Sequence, residues 1–194
     1  MDLSELLTPE RIRCQCNVQS KKRALQTLAE MLSQSLLLPE DTEDTDAEPH
    51  AEQNSTMGSI ASRLLKSRPK TDEEQDEKGA LSEMGILDAF ISRERLGSTC
   101  LDHGFALPHS RISCINKPVA AFITLADGVD YNASDKQPVD LVLGLLVPEE
   151  CNDEHLKILA TLAKRFSDAE FREKVRAYAT PSELYGYLAN LAPV

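Results

Sequence analysis

The run "PVDLVLGLLVP", residues 138 to 148, constrains this chain more than any other stretch. Its apolar residues do not alternate with polar ones, so a strand made from it has two faces that both need covering. Segments with helical spacing stand on either side of it to provide that cover. "SKKRALQTLAEMLSQSLLL" brings Ala24, Leu25, Leu28, Ala29, Met31, Leu32 and Leu36 to one face. "ALSEMGILDAFISRE" does so through Leu81, Met84, Leu87 and Ile91, with Gly97 just beyond as a stop. "NDEHLKILATLAKRF" makes a face of Leu156, Leu159, Leu162, Ala163 and Phe166.

Helix boundaries are also marked. Ser20 is an N-cap for the first helix, although Lys21, Lys22 and Arg23 crowd the positive end of its dipole. Near the C-terminus two capping boxes open short helices. One runs from Ser167 to Glu170 and the other from Thr180 to Glu183, with Pro181 at the first helical position. "RIRCQCNV" reads as a first strand with both thiols on one side. "VAAFITLADGVDY" reads as strand, Asp-Gly turn, strand. The expected fold is α/β: a mixed, about five-stranded sheet sandwiched between helices.

Charge is placed unevenly. Residues 40 to 77 hold twelve acids and four bases, so they carry −8 of the net −11. Within them "EDTEDTDAEPHAEQNSTMGS" has almost no large apolar residue, and such a segment buries too little surface to offset its ordering entropy. It reads as a disordered acidic insertion within a single domain spanning residues 1 to 194, with one helical turn in "SIASRLLKS" and no role for His50. No basic stripe suggests a nucleic-acid partner. No apolar run is long enough for membrane insertion, and no signal-peptide pattern opens the chain, so a cytoplasmic protein is expected. Five scattered cysteines (Cys14, Cys16, Cys100, Cys114 and Cys151) read as free thiols.

Three residues carry the chemistry. His109 follows the rigid Pro108 just before a strand-like segment. His155 stands in the first turn of a helix, and Arg93 near the end of another. Neutral imidazole is a nucleophile near its ordinary pKa of about 6.5. A phosphoryl group in transfer spreads charge over its equatorial oxygens, which a guanidinium fork and a helix N-terminus both stabilise. By themselves such residues are more often surface or capping groups than catalytic ones. A zinc site from Cys100, His103, His109 and Cys114 is an alternative, for which Cys-x-x-His supplies half the ligands.

The stretch "SRERLGSTCLDHGFALPHSR" resembles the signature of the enzyme IIA domains of the mannitol, fructose and nitrogen-related phosphotransferase systems. The matches are Arg93, Glu94, Gly97, Ser98, Thr99, Gly104, Ala106, Pro108 and His109. "QPVDLVLGLLVPEECNDEHLKILATLAKRFSD" is similar to the family's central strand and second-histidine helix. The resemblance runs from about Met1 to Gln34 and from about Leu81 to the C-terminus, and its order of motifs looks most like the nitrogen-related branch. It implies that His109 is the phosphohistidine, His155 the second active-site histidine and Arg93 the active-site arginine, with no cofactor and no metal. It also implies a histidine phosphocarrier protein of the same branch as donor. Regulated partners in nitrogen or carbon metabolism, potassium transport or sensor-kinase signalling are implied as well.

Two departures from the family pattern stand out: Cys100, Asp102 and His103 replace residues that are commonly Gly, Gly and Asn, and the acidic insertion is long. The first is expected to reshape the loop and to set an anion near the site, weakening phosphoryl binding. A binding module of the same fold that has lost phosphotransfer is therefore the other functional reading.

Overall fold

In the computed structural model, residues 3–37, 79–150 and 153–191 are described. The acidic insertion, its helical turn, His50 and Cys151 lie outside them. Five strands form one mixed sheet: β1 (Ile12–Cys16), β2 (Phe105–Ala106), β3 (His109–Ile112), β4 (Val119–Val129) and β5 (Val139–Pro148). The helices among the described residues are α1 (Lys21–Leu37), α2 (Glu83–Arg95), α3 (Asp153–Ser167), α4 (Ala169–Ala177) and α5 (Pro181–Ala189). Two 3-10 turns, Leu3–Glu5 and Pro9–Arg11, precede β1.

β5 is the unpolar run, and it occupies the middle of the sheet. β4 pairs with it antiparallel on one side, and β2 then β3 pair with it parallel on the other. β1 lies parallel to β4 at the far edge. Along β5, Val142 and Leu146 face a cluster built with α1 and α2, while Leu141, Leu143, Leu145 and Val147 face a second cluster built with α3, α4 and α5. Cover on both faces is what lets a strand dispense with alternation. Gly144 marks the closest approach: a Cβ there would stand 3.1 Å from Leu28 Cδ1 and 3.2 Å from Phe90 Cζ. α1 and α2 sit low on the sheet because that position has no side chain.

Four local expectations are corrected. The Asp-Gly pair makes no turn: β4 runs through Asp127 and Gly128 to Val129 as one strand. Between the pairs Thr124–Leu141 and Val129–Val139 the β4 side holds more residues than the β5 side, a bulge that absorbs them. Gly128 serves that bulge by proximity, since a Cβ on it would meet Pro138 Cβ at 2.8 Å. The sheet is mixed as expected, but its antiparallel pair is β4 with β5.

Cys14 and Cys16 do not share a side. Gln15 is an extra residue in β1 with φ 54°, and it inverts the alternation, so Cys14 packs with the α3–α5 cluster and Cys16 with the α1–α2 cluster. Met84 and Leu156, expected on buried helix faces, are exposed (66% and 62%). Ile86, Leu87 and Phe90 bury α2, and His155, Ile158, Leu162 and Phe166 bury α3. The other large apolar residues of the two stripes are on the core side: Leu87, Leu162 and Phe166 are buried, and Leu81, Ile91 and Leu159 pack against the clusters. Finally, the α4 cap is Asp168, whose carboxylate accepts from the Glu170 and Phe171 amides, while Ser167 ends α3. The caps at Ser20 and Thr180 are as expected: Arg23 N–H donates to Ser20 Oγ, and Glu183 N–H donates to Thr180 Oγ1.

An aromatic cluster holds α3 and α4 to the sheet. Phe166 stacks on Phe105 with centroids 3.9 Å apart and meets Phe122 and Phe171 edge-on at 5.7 and 5.0 Å. These contacts add to the area each ring buries. They also set where α3 lies, and α3 begins two residues before His155.

Candidate active site

Pro108 has no N–H to give a ladder, and it interrupts the sheet edge between β2 and β3. The edge still pairs there, because Leu145 N–H donates to Pro108 O at 2.9 Å. His109 is therefore the first residue of β3, half-buried, with a rigid residue behind it. Its Nδ1 lies 2.9 Å from Leu107 O. A carbonyl accepts only, so this nitrogen carries the proton and Nε2 carries the lone pair. Arg93 Nε–H donates to that Nε2 at 3.0 Å, and Arg93 Nη1 donates to Gly97 O at 3.1 Å. The last turn of α2 thus delivers a guanidinium to Nε2 of His109.

His155, the third residue of α3, lies with its ring centroid 5.6 Å from that of His109, tilted by 55°. It is 8% exposed, and neither ring nitrogen has a partner among the described residues. Buried polar atoms are rarely left so, and unpaired ones mark a place for a ligand or water. A cleft of about 290 Å³ opens in front of His109, lined by Arg93, Thr99, Leu101, Leu107 and Leu159 among others. The structure brings His109, His155 and Arg93 together from three separate elements.

Electrostatics favour the neutral form of both rings. Burial pushes the His109 pKa below its ordinary value. Its bond to the Leu107 carbonyl and the Glu94 carboxylate oppose the fall, and Arg93 adds to it. Burial also lowers His155, helped by His109, Arg111 and Arg93. A neutral imidazole offers one lone pair and one N–H donor.

The loop before His109 differs from what its residues suggest. Asp102, His103 and Gly104 have φ of 64°, 56° and 80°, so two of the three replacements, Asp102 and His103, occupy the left-handed region that glycine adopts at low cost. Outside bonds hold them there. Ser134 Oγ donates to Asp102 Oδ1 at 2.5 Å, His103 N–H donates to Asp135 Oδ2 at 2.7 Å, and Arg176, paired with Asp140, donates to His103 O. Glu94, not Asp102, is the carboxylate acting on His109.

Some site residues had no role in the sequence reading. Glu94 and Thr99 belong to the motif but carry no chemistry by residue type alone. Leu107 contributes a main-chain carbonyl, which no sequence pattern announces. Arg111 had a legible signal, since it stands two residues beyond His109 on a strand and so on the same side. The zinc alternative finds no support in position. Cys100 Sγ contacts Phe105 O, and no group of three or more His, Cys, Asp or Glu side chains is poised around a metal position among the described residues.

The family model for the phosphoenolpyruvate-dependent sugar phosphotransferase system, EIIA 2, matches residues 70–191. The chain belongs to this EIIA type-2 family. A nitrogen regulatory protein of Pseudomonas aeruginosa is 38% identical over 106 residues, covering 55% of this chain and 69% of that one. A nitrogen regulatory protein of Escherichia coli K12 is 28% identical over 191 residues, covering 98% and 91%. Among solved EIIA structures, the nitrogen regulatory protein IIA-Ntr of Neisseria meningitidis superposes with a TM-score of 0.69 at 26% identity, covering 96% of this chain and 98% of that one. The mannitol IIA of Escherichia coli shares the EIIA fold, with a TM-score of 0.61 at 17% identity over 94% of this chain and 99% of that one. Within the EIIA type-2 family, nitrogen regulatory proteins are among the relatives this chain is similar to. No helix among the described residues is long and apolar enough to cross a membrane.

Proposed function

We propose that this EIIA type-2 protein is a regulatory phosphohistidine carrier, with His109 the acceptor. The supporting observation is the pairing of an acceptor-ready Nε2 with a buried neighbouring imidazole, His155, whose nitrogens are unpartnered. The Nε2 lone pair forms a P–N bond as the phosphoryl group leaves the nitrogen of a phosphohistidine on the carrier, which keeps the old bonding pair. Arg93 moves its donors from Nε2 to the phosphoryl oxygens as that bond forms. His155 donates an N–H to one of the same oxygens and is not itself modified. The chain acts in the cytoplasm as a single domain, residues 1 to 194. Its donor is a histidine phosphocarrier of the nitrogen-related branch. Its targets, in nitrogen or carbon metabolism or potassium transport, respond to whether His109 carries phosphate. The reading in which phosphotransfer is lost draws no support from Asp102, whose carboxylate is engaged by Ser134.

The test is incubation with the phosphorylated carrier, followed by mass spectrometry with neutral handling, because phosphoramidates hydrolyse in acid. A phosphate on His109 that disappears in His109→Ala is expected. A wild-type protein that takes no phosphate would sink the reading.

A further inference from the structure

Behind the histidine pair lies a buried carboxylate that the phosphoryl-transfer step does not use. The Glu94 side chain is 7% exposed, and such a charge is costly unless every oxygen is engaged. Lys21 Nζ, from the first turn of α1, pairs with Glu94 Oε2 at 2.5 Å. The hydroxyl of Thr99 donates to Glu94 Oε1, and the Thr99 N–H lies 3.3 and 3.4 Å from the two oxygens. Lys21 also stands 4.6 Å from the centroid of the fully buried Tyr131 ring, and Ser98 Oγ donates to Tyr131 O at 3.1 Å.

From Thr99 the contacts continue to the acceptor. Leu107 N–H donates to Thr99 O at 3.0 Å, and Leu107 O accepts the His109 Nδ1 proton at 2.9 Å. A connected series of bonds therefore runs from the start of α1, through Glu94, Thr99 and Leu107, to the back of the imidazole. Two adjacent residues of α2 grip the two sides of one ring: Arg93 directly at Nε2, and Glu94 through the loop at Nδ1. A free imidazole exchanges between tautomers, and the partner at one nitrogen selects which nitrogen keeps its lone pair.

We propose that Glu94, held by Lys21 and acting through Thr99 and Leu107, is a positioning residue that presents His109 as the Nδ1–H tautomer with Nε2 turned to the cleft. This inference rests on His109 being the acceptor. Its lever is geometry, with a smaller electrostatic part from the carboxylate, which opposes the lowering of the His109 pKa. The groups facing that ring are Arg93, Glu94 and His155.

The test reads imidazole ¹⁵N shifts against pH in the unphosphorylated protein, and phosphorylation rates with the carrier, for wild type, Glu94→Gln, Thr99→Val and Thr99→Ser. Glu94→Gln is expected to lower the His109 titration midpoint and mix its tautomers. It should slow phosphorylation by about tenfold to a hundredfold, the scale on which small misplacements act. Thr99→Val keeps the charge and the volume, so it should mix the tautomers with little change of midpoint, and Thr99→Ser should restore wild-type spectra. Unchanged His109 tautomer and rates within about twofold of wild type in both Glu94→Gln and Thr99→Val would overturn the inference. If Glu94→Gln does not fold, the Thr99 pair decides alone. If wild type takes no phosphate, the carrier reading fails while the spectra still decide the positioning.

Discussion

The two histidines sit close to each other and to Arg93 in a partly closed cleft, and their protonation follows from that crowding. Both pKa values lie below the ordinary one, burial being the first cause for each. The unfolded chain then binds more protons than the folded one in the interval below about pH 6.5, so stability rises with pH across it. The contribution is complete above that pH and is lost as pH falls through the folded values. Urea midpoints measured from about pH 5 to 8 should decline on the acid side, and the double variant His109→Gln, His155→Gln should flatten that limb. The rate of phosphoryl acceptance should keep its plateau below about pH 6.5 for the same reason. Arg93→Lys retains the charge but loses the fork, and an ammonium cannot bond to Nε2 and Gly97 O in the same geometry. Its phosphorylation rate should fall by about a hundredfold, measured with the same carrier.

Elements bring these residues into register. The loop ahead of β2 turns through three successive positive φ values, two of them in non-glycine residues. His103 is exposed, and in that turn its side chain adds an exposed electrostatic contact with Asp135, so most of the cost of the left-handed region falls on it. His103→Gly should stabilise the protein by about 1 kcal/mol, seen as a melting point about 2–4 °C higher. Gly104 allows no reverse exchange, because a Cβ there would meet Arg176 Nη2 at 2.7 Å and Asp140 Oδ1 at 2.8 Å. α3 is fixed at its far end by Phe166, so truncation there should cost about 3–5 kcal/mol. Denaturant unfolding of Phe166→Ala checks that cost.

Across the whole molecule, two helical layers close on one sheet, and their spacing depends on what the central strand omits. Gly144→Val would push Leu28 and Phe90 away from β5 and should destabilise the fold by about 1–3 kcal/mol, measured by denaturant midpoint. Much of this architecture was legible in residue order. A run apolar on both faces demanded two covers, helical periods on either side supplied them, and Thr180 with Pro181 marked a helix start by chemistry local to four residues. The edges of the stripes and the turns were less legible. Met84 and Leu156 look like core residues in a stripe, yet which side of a helix is buried depends on where its neighbours lie. Asp127-Gly128 has the composition of a hairpin turn, but Pro138 from the neighbouring chain segment crowds Gly128 inside a bulge. Cys14 and Cys16 were separated by a single φ at Gln15. The motif around His109 and the residue types of Arg93 and His155 could be named from the chain alone, because nucleophile, donor and guanidinium are properties of side chains. Which nitrogen of His109 keeps its lone pair was decided only by the tertiary structure, since the Leu107 carbonyl at Nδ1 and the Arg93 guanidinium at Nε2 fix it, and the Thr99 loop behind them is tied to a Glu94–Lys21 pair whose lysine stands eighty-eight positions from His109, a distance no local pattern encodes.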